Sequence, residues 1–133
     1  MPKVLIVEDE KDVRDLLAMT AREHGFDVVE APTGRRALEE LCRASVSQAP
    51  FDVMLLDISM PDVNGWHVLA AVEANPLWRD LPVVVVTGQA RSPADISRMA
   101  RHGAYYVDKG TDFLRYVGTM LDRIASVGQS PGY

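Results

Sequence analysis

The stretch MLLDISMPDVNG, Met54 to Gly65, carries an apolar run straight into an aspartate, with a proline and a glycine behind it. A carboxylate at the end of a buried strand is costly unless it is paired, bound to a metal or reacting, so Asp57 is the first candidate for chemistry. Glu8 and Asp9 follow the apolar run VLIV in the same way, Thr87 follows VVVV, and Lys109 comes just after YYV. Carboxylates suit a hard divalent cation, and a lysine supplies a second counter-charge, provided the fold brings them together. Taken singly, each residue has an ordinary reading. Glu8 and Asp9 could open a helix, where its dipole favours acids. Asp57 with Pro61 and Gly65 could be turn chemistry, Thr87 a strand end, Lys109 a surface lysine and Tyr106 a half-buried strand aromatic.

The elements that would position these residues are legible. VLIV (Val4 to Val7), VMLL (Val53 to Leu56) and VVVV (Val83 to Val86) are continuous apolar runs, as expected of strands covered on both faces. VVEA (Val28 to Ala31) and YYV (Tyr105 to Val107) are shorter strands. Helical spacing predicts a first helix whose inner face is Val13, Leu16, Leu17, Thr20, Ala21 and His24, with Gly25 as its left-handed cap. A second helix opens at Thr33 and carries Ala37, Leu38, Leu41 and Cys42, and SVSQAP (Ser45 to Pro50) reads as loop. A third runs from about Trp66 to Ala74. The fourth begins with the capping box SPAD and keeps Ile96, Met99, Ala100 and Gly103 on one face. The last runs from Asp112 to about Ala125 on Phe113, Val117, Met120, Leu121 and Ile124, and VGQSPGY after it reads as disordered.

Five strand–helix units of this kind predict an α/β fold, a doubly wound five-stranded parallel sheet with helices on both faces and right-handed crossovers. Ligands of such folds bind at the carboxyl ends of the strands. Glu8, Asp9, Asp57, Thr87 and Lys109 all fall on that rim. Three carboxylates there would raise one another's pKa unless cations hold them, and Mg²⁺ is the expected one.

VLIVEDE, LLDISMPDVNG, VVVVTG and YYVDKG, in this order and at these separations, resemble the receiver domain of bacterial two-component response regulators, a chemotaxis-regulator-like (βα)5 flavodoxin-like fold. The resemblance spans roughly Lys3 to Ala125. It implies that Asp57 is the phosphoacceptor for a sensor histidine kinase or phosphotransfer protein. It implies that Asp9, Asp57 and the backbone carbonyl of Ser59 ligate Mg²⁺, with Glu8 acting directly or through a water. Thr87 and Lys109 would contact phosphoryl oxygens. The domain would then catalyse its own phosphorylation and slow dephosphorylation rather than turn over a separate substrate. Thr87 drawn toward the phosphoryl group, and an aromatic ring three residues before the lysine, here Tyr106, would form the switch. The responding face would be the fourth helix, fifth strand and fifth helix, with Arg98, Arg101, Tyr105, Arg115 and Tyr116. It would meet a downstream protein or a missing output domain, as a monomer or a phosphorylation-dependent dimer. GAYYVDKG departs from the family pattern in having one residue fewer before the aromatic and Gly110 in place of proline. A cis bond before a non-proline residue costs about 2.5–4 kcal/mol, so a trans Lys109–Gly110 bond is expected.

Two other classes stay open on sequence. A Mg²⁺ phosphatase of the haloacid-dehalogenase type also places Asp, Thr and Lys on strand ends, but it wants an acid where Ser59 stands. A pseudo-receiver would be an interaction module that never carries phosphate.

The bulk properties fit one domain, taken here as residues 1–127, with 128–133 a disordered tail or the start of a linker. At 133 residues and 47% hydrophobic content the chain can build its own core. A net charge of -5 is the wrong sign for tracking nucleic acid. No apolar window approaches the ~20 residues of a membrane span, and no signal peptide is evident, so a cytoplasmic protein is expected. The single Cys42 forms no internal disulfide and is expected to be small and buried. His24, His67 and His102 lack ligand spacing and read as solvent or helix-end residues. Trp66 and Trp78 are expected to pack at helix ends.

Overall fold

The computed structural model describes residues 1–58, 60, 63–88 and 92–128. Strand β1 (Lys3–Val7) is followed by α1 (Lys11–Glu23), β2 (Asp27–Ala31), α2 (Gly34–Val46), β3 (Val53–Leu56) and α3 (Gly65–Ala74). The chain continues with β4 (Val83–Thr87), α4 (Pro93–Arg101), β5 (Tyr105–Asp108) and α5 (Phe113–Gly128). The strands form one parallel sheet in the order β2-β1-β3-β4-β5, the doubly wound order of flavodoxin-like folds.

Successive strand residues point to opposite faces of the sheet, and here both faces are covered. Leu5, Val7, Met54, Leu56, Val83 and Val85 pack with Ala37, Leu41, Val68, Leu69, Val72 and Met99 from α2, α3 and α4. Val4, Ile6, Val53, Leu55, Val84 and Val86 pack with Leu17, Ala18, Ala21, Val117 and Leu121 from α1 and α5. Every apolar position of β1, β3 and β4 therefore meets a neighbouring side chain, which is why these runs show no polar alternation.

Short polar side chains start three of the helices. Thr33 Oγ1 accepts from the Arg36 amide, Asn64 Oδ1 from the His67 amide and Ser92 Oγ from the Asp95 amide, each at 3.1 Å, satisfying donors that the helix leaves open. Gly25 follows α1 at φ 86°, the left-handed conformation its position predicts.

Several local expectations are corrected. Cys42 is exposed; the inner face of α2 is Ala37, Glu40, Leu41 and Ala44, and one residue beyond Leu41 the helix has turned Cys42 outward. Glu40 is buried among these because Arg36 Nε and Arg43 Nη1 flank its carboxylate at 3.1 and 2.9 Å. Ser45 and Val46 are the last residues of α2 rather than loop, and Ser45 Oγ accepts from the Trp78 indole N–H at 2.8 Å. On α1, Ala18 faces inward while Leu16 is exposed. On α4 only Met99 is buried, with Ile96, Ala100 and Gly103 open. Helix α5 continues through Val127 to Gly128, and the rest of the expected tail lies outside the described residues, as do Ser59 and Pro61. His24 and His102 cap the C-terminal ends of α1 and α4, in keeping with helix-end roles.

Candidate functional site

The pairing of β1 with β3 sets Val7 opposite Leu56, so the next residues of both strands, Glu8 and Asp57, emerge side by side. The Asp57 amide still donates to the Val7 carbonyl at 3.0 Å, and the Glu8 amide to Ala31 at 3.1 Å. This is the point in the sheet where the chain leaves β1 toward β2 on one side and meets β3 on the other, the crevice in which doubly wound folds bind ligands. Carboxylate oxygens of Glu8, Asp9 and Asp57 lie within 4.8 Å of one another, Glu8 and Asp57 buried and Asp9 exposed.

Thr87 ends β4 fully buried, and the Lys109 amide donates to its carbonyl at 3.2 Å. That bond turns the chain after β5 so that the lysine reaches back over the rim. Lys109 Nζ stands 2.5 Å from Glu8 Oε1 and 3.5 Å from Asp57 Oδ2. The first is an ion contact rather than a well-directed hydrogen bond, since Glu8 Oε1 has no hydrogen-bond partner of good geometry.

Charge balance at the rim is incomplete. Burial pushes the Glu8 carboxyl from its ordinary 4.5 up to about 7; the Lys109 ammonium opposes this and the Asp57 charge adds to it. For Lys109, burial favours the neutral amine, but Glu8 and Asp57 outweigh it and move the ammonium above its usual range. Among the described residues, one cation, Lys109, thus pairs with carboxylates of this three-acid cluster. The excess negative charge and all-oxygen donor set fit a hard divalent cation.

The structure brings Glu8, Asp9, Asp57 and Lys109 into one cluster, with Thr87 on the adjoining strand end; Ser59 lies outside the described residues. Tyr106 pairs with Val85 and packs partly buried beside it, whereas Tyr105 is 50% exposed. By strand parity Tyr106 shares a sheet face with Thr87. The Lys109–Gly110 bond is trans, as expected, with no cis peptide among the described residues. Arg98, Arg101, Tyr105, Arg115 and Tyr116 are all exposed, although the Arg98 guanidinium lies 4.1 Å over the Trp66 ring, tying α4 to the start of α3.

Two residues that sequence reasoning did not assign to the site shape it. A Cβ on Gly65 would stand 2.4 Å from the Asp57 carbonyl oxygen and 2.5 Å from Ile58 Cα. Only glycine lets the first turn of α3 approach the Asp57 backbone so closely, where the Gly65 amide donates to Ile58 at 2.9 Å; the available signal was its place directly after the Asn64 cap. The other is Arg14, whose guanidinium donates to the Glu8 carbonyl at 3.0 Å.

Among known proteins, the response regulator receiver domain family matches residues 4–117. The transcriptional regulatory protein KdpE of Mycobacterium tuberculosis is 30% identical over 109 residues, which span 82% of this chain and 45% of that protein. Response regulator SaeR of Staphylococcus aureus is 28% identical over the same length, covering 44% of its own chain. The chain therefore spans less than half the length of these curated relatives. The solved structure of the Vibrio cholerae chemotaxis protein CheY4 superposes with a TM-score of 0.78 at 28% identity, over 93% of this chain and 98% of that one. No helix among the described residues is long and apolar enough to cross a membrane. Strand order, the acids at the β1–β3 switch point and the family match over nearly the whole chain agree, and the chain belongs to the response regulator receiver domain family.

Proposed function

We propose that Asp57 is the phosphoacceptor of a phosphorylation-dependent signalling switch, supplied by a sensor histidine kinase or a phosphotransfer protein. The observation that carries this reading is the convergence of Glu8, Asp9, Asp57 and Lys109 beside Thr87 on one rim. In the transfer, an Asp57 carboxylate oxygen forms a bond to phosphorus while the bond from phosphorus to the imidazole nitrogen of the donor breaks, its electron pair staying on that nitrogen. The product is an acyl phosphate, which water later hydrolyses to carboxylate and inorganic phosphate.

Charge in such a transition state sits on the peripheral phosphoryl oxygens, so placed cations and donors do most of the catalysis. Lys109 is held at the rim by its two carboxylate partners and can shift from them to a phosphoryl oxygen. The Thr87 hydroxyl can donate to another. Asp9, Asp57 and the Ser59 carbonyl would hold Mg²⁺, with Glu8 direct or through water; when bound, it neutralises charge on the transferring group. Partial burial beside Val85 makes Tyr106, not Tyr105, the ring that responds when Thr87 moves. The exposed face of α4, β5 and α5 would then present a changed surface to a downstream protein or an output domain, as a monomer or a phosphorylation-dependent dimer. We place the receiver unit at residues 1–127, followed by a short tail or linker from residue 128, and its action in the cytoplasm.

Incubation with acetyl phosphate and Mg²⁺ tests the reading. Stoichiometric labelling that Asp57→Asn abolishes is expected. Labelling of Asp57→Asn at the wild-type level would overturn it, and no labelling of the wild type would favour the pseudo-receiver. The dehalogenase-type phosphatase is disfavoured by the family match, and steady turnover of added phosphate esters would be needed to revive it.

A further inference from the structure

Both acids of β1's end sit on the three-residue segment, Glu8 to Glu10, that joins β1 to α1. Glu8 Oε2 accepts from the Glu10 amide at 3.3 Å, and the Arg14 amide bonds to the Glu10 carbonyl at 2.9 Å as α1 begins. The peptide plane joining Glu8 to Asp9 decides where the exposed Asp9 carboxylate points. Its carbonyl oxygen belongs to Glu8 and accepts from Arg14 Nη1 at 3.0 Å. The same guanidinium places Nε 3.3 Å from Glu30 Oε1 on β2, with the arginine side chain only 16% exposed. Glu30 immediately precedes Ala31, whose carbonyl receives the Glu8 amide. The segment is therefore fastened to β2 twice, by its own amide and through the arginine.

We propose that Arg14 is a positioning residue for the divalent cation: it fixes the Glu8–Asp9 peptide plane and hence the Asp9 carboxylate, while Glu30 holds the guanidinium in place. This rests on the reading of Glu8, Asp9 and Asp57 as a Mg²⁺ site. Arginine is suited to the task because its planar fork can bond a carbonyl and a carboxylate at once, which a lysine ammonium does less well. Positioning and charge act here with opposite signs. A positive charge near the site repels Mg²⁺, so if Arg14 acted only through its charge, its removal would tighten Mg²⁺ binding. If it positions Asp9, its removal loosens binding.

The test is a Mg²⁺ titration of the 133-residue chain, followed by backbone amide shifts, on wild type, Asp9→Asn, Arg14→Met, Arg14→Lys and Glu30→Gln. Wild type should bind and Asp9→Asn should not. Arg14→Met, which keeps the packed stem, should bind about tenfold more weakly, at the lower end of what losing an outer-shell partner costs a metal site. Its Glu8 to Glu10 amide signals should already differ from wild type without metal. Arg14→Lys should fail to restore affinity, and Glu30→Gln should weaken binding less and add nothing to Arg14→Met. Wild-type or tighter affinity in Arg14→Met, or full rescue by lysine, overturns the proposal. A wild type that binds no Mg²⁺, or an Asp9→Asn that binds as well, overturns the metal-site reading instead. Should Arg14→Met not fold, Glu30→Gln decides, and unchanged affinity there counts against the proposal.

Discussion

Replacing Gly65 by alanine would add a methyl group to a place that holds backbone on its far side. The added Cβ would stand 2.4 Å from the Asp57 carbonyl oxygen and 2.5 Å from Ile58 Cα, where ordinary contact begins at 3.4 Å. Neither atom can rotate away, so α3 or the Asp57 segment must move by about 1 Å, and such overpacking costs roughly 1–3 kcal/mol. Alanine recovers up to about 1 kcal/mol as the better helix former, though less at the first helical position, leaving a net loss of about 1–2 kcal/mol. For a domain of this size that is a fall in Tm of about 4–7 °C. The larger effect should be on chemistry, because a displacement of about 1 Å at a reacting group can cost 10²-fold in rate. The assay is phosphorylation of Gly65→Ala by acetyl phosphate at a temperature where it is fully folded, alongside its thermal melt. A variant that melts with wild type and labels at the wild-type rate would refute the reasoning.

The raised Glu8 carboxyl makes stability pH-dependent in the metal-free protein. Folded Glu8 keeps its proton up to about 7, whereas its unperturbed value is 4.5; the folded state thus binds more protons in this window, and stability falls as pH rises through it. Melts in EDTA should show wild type losing ground to Glu8→Gln between those pH values, and parallel curves would refute this. A Cβ on Gly118 in α5 would meet His24 Nε2 at 2.5 Å, in the ring whose Nδ1 lies 2.6 Å from Asp122. Gly118→Ala should therefore be no more stable than wild type, yet gain about 1 kcal/mol of helix propensity in a His24→Ala background; equal gains in both would count against the contact. Beryllofluoride with Mg²⁺, standing in for the phosphoryl group on Asp57, should shift amide signals of β4 and β5, and silence there would defeat the Thr87–Tyr106 switch.

Much of this protein follows from local pattern. Unbroken aliphatic runs at Val4, Val53 and Val83 announce strands buried on both faces, and Thr33, Asn64 and Ser92 cap helices because their side chains satisfy amides within the same turn. The candidate residues were legible because a doubly wound fold sends every strand's carboxyl end to one rim, so Glu8, Asp57, Thr87 and Lys109 needed only strand ends to be placed together. What depends on packing between distant segments was not legible. Apolar character put Cys42 and Leu16 inside, but the faces that α2 and α1 bury against the sheet include Glu40 and Ala18 and leave Cys42 and Leu16 exposed. Arg14 and Gly65 act through contacts with a carbonyl oxygen and a passing backbone, which leave no side-chain signature. That Lys109 rests nearer Glu8 than Asp57 was likewise decided by the tertiary structure, since it depends on where the Thr87–Lys109 bond turns the chain and on the competition of two carboxylates for one ammonium in a site largely closed to water.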